Sequence, residues 1–111
     1  MNRRALALLT ASVVSVAAVG GHVASAASVK TVALKDIAFS PKSLSITRGS
    51  TVRFAFRDAT TTHNVTSVGR RRFSTIGNRS RGAQSRTFTR AGTYRYECTL
   101  HPGMTGRISV H

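Results

Sequence analysis

Near the C-terminus, Cys98-Thr99-Leu100-His101-Pro102-Gly103-Met104 puts a thiol, an imidazole and a thioether within one short stretch. Cys98 is the only cysteine, and Met104 the only methionine besides Met1. The spacing Cys-x2-His-x2-Met fits one tight loop, and a second imidazole is available upstream at His63. Two histidines and a cysteine in a trigonal plane, with a weak axial methionine, are the donor set of a mononuclear type 1 copper centre. Reduced copper prefers soft, low-coordinate surroundings, whereas oxidised copper prefers tetragonal nitrogen and oxygen. A thiolate, two imidazoles and a distant thioether suit both forms, so little need move when an electron arrives or leaves. The thioether disfavours zinc. Taken singly, Met104 could fill a core gap and Cys98 could be a small buried hydrophobe; occurring together they point to a metal. His111 is terminal and His22 precedes the domain, so neither is expected to be a structural ligand.

Such a site needs a rigid scaffold, and the chain reads as short strands. Thr51 to Arg57 alternates, with Val52, Phe54 and Phe56 on one face and Arg53 and Arg57 on the other, the period of a half-buried strand. Val29 to Leu34, Leu44 with Ile46, His63 to Val68, Gln84 to Thr89, Thr93 to Cys98 and Thr105 to Val110 read likewise. Tyr94, Tyr96 and Cys98 share one face, as do Ile108 and Val110. Phe39-Ser40-Pro41 reads as a break, Arg48-Gly49-Ser50 and Ala91-Gly92 as turns. Residues 69–83, with five arginines in fifteen residues, read as a long basic loop, either simply solvated or a docking patch. The pattern predicts an all-β sandwich.

Residues 1–26 read as a cleavable signal peptide. Arg3 and Arg4 precede an apolar run from Ala5 to Val19, and Ala24-Ser25-Ala26 has the form of a peptidase site. The run falls short of the roughly 18 residues of a membrane span, which argues against a permanent anchor. Asn2-Arg3-Arg4-Ala5-Leu6 also loosely fits a twin-arginine signal, so the export route stays open. The expected product is a domain of residues 27–111, exported to the periplasm, the cell envelope or the medium. A single cysteine gives it no internal disulfide.

The chain of 111 residues carries 17 Lys and Arg against 3 Asp and Glu. Without Arg3 and Arg4 the domain keeps 15 basic residues and a net charge of +12. Such a surface attracts anionic partners and speeds association with them. Export and the lack of a recognisable basic motif argue against nucleic acid. An acidic redox partner protein, or electrostatic association with an anionic cell envelope, is the expectation, for a monomer.

The region after the leader resembles the cupredoxins, among them the small blue copper proteins of plastocyanin and amicyanin type. The resemblance runs through Phe39-Ser40-Pro41 with Leu44-Ser45-Ile46, and through Arg48-Gly49-Ser50-Thr51-Val52-Arg53-Phe54. It continues with Asp58 ahead of His63-Asn64-Val65, then Thr87-Phe88 and Gly92-Thr93-Tyr94-Arg95-Tyr96-Glu97-Cys98. His101-Pro102-Gly103-Met104 and Gly106-Arg107-Ile108 complete it, and the short loop from Cys98 to Met104 is most similar to amicyanin.

The resemblance implies a Greek-key β-sandwich. It also implies one copper ion held by His63, Cys98 and His101, with Met104 axial. Asn64 would tie the ligand-bearing strands together through the Thr99 region. His101 would present its edge to solvent within an apolar rim of Leu100, Pro102 and Gly103, and its protonation in the reduced form would make the potential depend on pH. Three features depart from the family. Thr60-Thr61-Thr62 replaces the proline often found before the first histidine, Asp58 lies one residue further from it, and Phe54 replaces a tryptophan. The implied function is a one-electron carrier. The alternative is an envelope protein that binds or delivers copper. An enzyme with a second copper cluster would need more histidines than His63, His101 and His111.

Overall fold

A computed structural model describes residues 26–111, so the expected leader of residues 1–26 lies outside the described residues apart from Ala26. Nine strands follow in order: β1 (Val29–Lys35), β2 (Ala38–Ser40), β3 (Ser43–Ile46), β4 (Ser50–Phe56), β5 (His63–Val68), β6 (Ile76–Arg79), β7 (Gly82–Phe88), β8 (Gly92–Glu97) and β9 (Thr105–Val110). They form two sheets, ordered β2-β1-β4-β7 and β3-β9-β8-β5-β6. The expected all-β Greek-key sandwich is the observed fold, and no helix forms among the described residues. The parallel pairs, β1 with β4 and β3 with β9, join strands distant in sequence.

The alternation decides which side chains enter the core. On β4, Val52 and Phe54 are fully buried and Phe56 nearly so, while Arg53 is exposed. Val32 and Leu34 of β1, Tyr94 and Tyr96 of β8, and Ile108 and Val110 of β9 fill the space between the sheets. Tyr96 is the hub. Its ring meets Phe39 at 4.8 Å, Phe54 at 5.5 Å and Phe73 at 6.0 Å, all edge to face, the favoured arrangement of aromatic quadrupoles. Tyr96 lies directly opposite Gly106 on β9. A Cβ on Gly106 would sit 2.6 Å from the Tyr96 ring, so only glycine lets the ring cross the strand.

Two segments differ from the sequence expectation. Phe39 and Ser40, read with Pro41 as a break, belong to β2, which buries Phe39 before the cis Ser40–Pro41 peptide. Residues 69–83, read as a loop, contain β6 and the start of β7, with Ile76 buried. Strands this short carry too few alternations to register a period, and arginines mask the single apolar anchor in each turn of chain. Phe73, from the same segment, packs into the core between Phe54 and Phe88.

The β1–β2 hairpin turns on Asp36 and Ile37, at φ 54° and 55°. A two-residue loop with both central residues at positive φ favours Asn-Gly or Asp-Gly. Asp36 tolerates it, but a β-branched residue in this region is strained. Ile37 is nonetheless 52 % exposed, so burial does not offset the strain.

Three substitutions test this packing by urea denaturation. Gly106→Ala is expected to destabilise by about 1–3 kcal/mol through overpacking against Tyr96. Tyr96→Phe is expected to cost nothing, because the buried Tyr96 hydroxyl has no hydrogen-bond partner among the described residues. Ile37→Gly is expected to stabilise by about 1 kcal/mol.

Candidate metal centre

The strands place all the donors at one end of the sandwich. β5 begins with His63 and β8 runs directly into Cys98, so the antiparallel pairing of β5 with β8 brings these residues together. The loop 98–104 then closes on itself. Cys98 N–H donates to the Met104 carbonyl at 2.9 Å, Met104 N–H to the His101 carbonyl at 3.0 Å, and His101 N–H to the Cys98 carbonyl at 3.4 Å. These bonds satisfy the loop's own backbone and hold its conformation without help from a ligand.

Ligand atoms of His63, Cys98 and His101 all lie within 4.8 Å of one another. Cys98 Sγ is 3.9 Å from His63 Nδ1 and 3.4 Å from His101 Nδ1. The two imidazole rings are tilted by 56° with centroids 4.8 Å apart. His63 is fully buried and Cys98 is 3 % exposed, while His101 is only half-buried. Met104 is buried at the foot of the loop.

The partners of His63 settle which nitrogen is free. Its Nε2 lies 2.8 Å from Asp58 Oδ2, so Nε2 carries the proton and donates it, leaving Nδ1 bare toward the sulfur. That bond holds the Asp58 carboxyl below the usual carboxylate range, helped by the backbone N–H groups of Ile37 and Asp36; desolvation opposes it. The strained β1–β2 turn thus braces the carboxylate that orients His63. Sequence reasoning placed Asp58 in the family pattern without giving it this task.

Asn64, beside His63, makes four hydrogen bonds. Its Nδ2 donates to Asn78 Oδ1 at 2.9 Å and to Thr99 Oγ1 at 2.8 Å. Its Oδ1 accepts from Thr66 Oγ1 at 2.8 Å and from the Thr99 N–H at 3.1 Å. One buried amide therefore ties β5, β6 and the residue after Cys98. Asn78 was not singled out from the sequence, because it lies in the arginine-rich stretch read as a loop.

The donor chemistry fits copper: a buried soft sulfur beside two imidazole nitrogens in a prearranged cluster, with no carboxylate among the converging atoms. A two-sheet Greek-key sandwich with such a cluster at one end defines the cupredoxin class. The family model for copper binding proteins of the plastocyanin/azurin family matches residues 26–111. An amicyanin variant in its Cu(I) form superimposes with a TM-score of 0.68 at 31 % identity, over 75 % of this chain and 82 % of that one. A second amicyanin variant, reduced at pH 4, gives a TM-score of 0.67 at 33 % identity, over 80 % and 86 %. A purple cupredoxin from Nitrosopumilus maritimus shares the fold, with a TM-score of 0.66 at 21 % identity over 74 % and 99 %. No match is found among curated protein sequences. The chain belongs to the plastocyanin/azurin family of copper-binding proteins, and its cofactor is one copper ion.

Asp58→Ala, which frees the far nitrogen of His63, is expected to weaken copper binding about 10–100-fold. Asp58→Asn, which retains an acceptor, is expected to lose less. Competition with a chelator of known affinity measures both.

Proposed function

We propose that residues 27–111 form an exported type 1 copper protein that carries single electrons and has no substrate chemistry of its own. His63, Cys98, His101 and Met104 would hold the copper ion, and Asn64 and Thr99 fix the segments that carry them. The observation that carries this reading is the prearranged sulfur and nitrogen cluster, locked by the loop 98–104 and the Asn64 bonds. Copper, when bound, supplies the one-electron couple between Cu(I) and Cu(II). The chain's contribution is to keep the donors in place in both states, so that little rearrangement accompanies transfer. Solved amicyanin structures exist in both Cu(I) and oxidised forms, which accords with this role.

Electrons leave through His101, the half-buried imidazole, since His63 is sealed from solvent. Around it lie Leu100, 45 % exposed, and the exposed Pro102 and Gly103. Ile37, in the strained turn at the same end, adds exposed apolar surface. A redox partner docks here by burying these groups. The domain acts as a monomer, and its net charge draws an acidic partner from a distance. Arg57, Arg79 and Arg81 offer that partner contacts beside the site. The register supports this placement, with Arg79 opposite His63 and its guanidinium 5.7 Å from the Phe56 ring.

The alternative of copper delivery calls for ligands that let the ion go. A fully buried His63 with its far nitrogen bonded, and a loop closed by its own backbone, favour retention.

One equivalent of Cu(II) added to residues 27–111 is expected to give an intense visible thiolate-to-copper band and a narrow copper hyperfine splitting. Cys98→Ser is expected to abolish both. A pale spectrum of nitrogen and oxygen ligation in the unsubstituted protein would sink the type 1 assignment.

A further inference from the structure

The strands run between two ends, and the charges divide unevenly between them. Donors occupy the end where β5 begins and β8 finishes. Asp36 and Asp58 lie in the connections at that end, and Glu97 ends β8 beside Cys98, so all three acidic residues sit in the metal-bearing half. They offset part of the charge of Lys35, Lys42, Arg57, Arg79, Arg81 and Arg107, which lie in that half too.

No Asp or Glu side chain lies at the far end. Its connections carry Arg48, between β3 and β4; Arg70, Arg71 and Arg72, after β5; and Arg90, between β7 and β8. Three of them meet on the surface around the start of β8. Arg72 and Arg90 line one groove of about 300 Å³ with Arg86, Phe73 and Tyr94. Arg71 lies across Gly92, its Nε only 2.7 Å from where a Cβ would stand. Among the described residues none of these arginines has a carboxylate within 4.0 Å, the single ion pair being His63 with Asp58.

The N-terminal segment joins at this same end. β1 starts at Val29 opposite Thr51, the Ser28 carbonyl accepts from Thr51 N–H at 2.9 Å, and Ala27 lies against Gly49. The first described residues therefore lie at the same pole as these arginines.

We propose that this cap, formed by Arg48, Arg70, Arg71, Arg72 and Arg90, docks the domain on an anionic lipid bilayer with the copper end facing away. Guanidinium groups pair bidentately with phosphate, and their weak hydration suits an interface. Each basic residue near an anionic bilayer strengthens adsorption by roughly fivefold, screened beyond a Debye length. Counter-charges weaken the grip of the opposite pole, so the two poles are not equivalent. The orientation leaves His101 open to a partner while the carrier stays at the surface. The cap does not involve the metal, so this inference stands or falls separately from the electron-carrier reading.

Among the described residues the nine strands and the core lie within 29–110, and the domain 27–111 is the unit to test. Its binding to phosphatidylcholine vesicles containing phosphatidylglycerol is measured by flotation at low and high salt, against phosphatidylcholine alone. Two triple variants of equal net charge are compared, one with Arg70, Arg71 and Arg72 changed to Ser and one with Arg57, Arg79 and Arg81 changed to Ser. The far-end variant is expected to lose about 100-fold in affinity and the other much less. Arg48→Ser combined with Arg90→Ser, both on exposed turns, keeps the test valid if the first variant folds poorly. A paramagnetic lipid is expected to broaden amide signals near residues 48, 70–72 and 90, and not those of 98–104. Equal losses from both triple variants, or no preference for the anionic vesicles, would overturn the proposal. Tighter binding to double-stranded DNA than to the vesicles, through the same arginines, would overturn it in favour of a soluble polyanion.

Discussion

The amide of Asn64 is the interaction on which the site depends. It lies between the strand that carries His63 and the segment that carries Cys98, and bonds to Thr99 through both its nitrogen and its oxygen. Asn64 itself is buried, where an unpaired amide is costly. Any relative motion of β5 and the 98–104 loop would break several of them at once. The separation of the imidazole and the sulfur is therefore set by the protein rather than by the metal. A centre that changes charge by one unit and must not change shape needs that kind of constraint.

The sandwich serves the same end by other means. Tyr96 crosses Gly106 and gathers Phe39, Phe54 and Phe73 around it, so the two sheets are pinned two residues before Cys98. Burial pushes the Tyr96 phenol well above its usual range, and its unpartnered oxygen is a cost carried by the core. On the other side of the site, the strained Asp36-Ile37 turn supplies backbone donors to Asp58, which fixes the far nitrogen of His63. Strain in the turn, an apolar side chain left in solvent and a braced ligand thus coincide at the face where a partner would dock.

Much of this was legible in the residues. The alternation from Thr51 to Arg57 appears in the burial of Val52, Phe54 and Phe56, because period 2 and a one-sided core leave β4 no other register. The approach of Cys98 and His101 was legible because they lie three residues apart in sequence. β2 and β6 were not, since three or four residues cannot display a period. Asn78 and Phe73 were hidden with them, one bonded to Asn64 and the other set into the core.

The sequence by itself determined the donor types, the all-β class, the length of the Cys98–Met104 loop and the excess of positive charge. Each is a local or compositional property, carried by spacing, alternation or counting. Only the tertiary structure decided that His63 meets Cys98 across 35 residues, that Asp58 rather than a backbone carbonyl orients it, and that the acidic side chains gather in the metal-bearing half. Pairing of distant strands sets these, and pairing depends on how the whole set of apolar faces closes over one core. The arginines at residues 70–72 and the histidine at 63 are near neighbours along the chain, yet β5 carries them to opposite ends because an extended strand advances about 3.3 Å per residue.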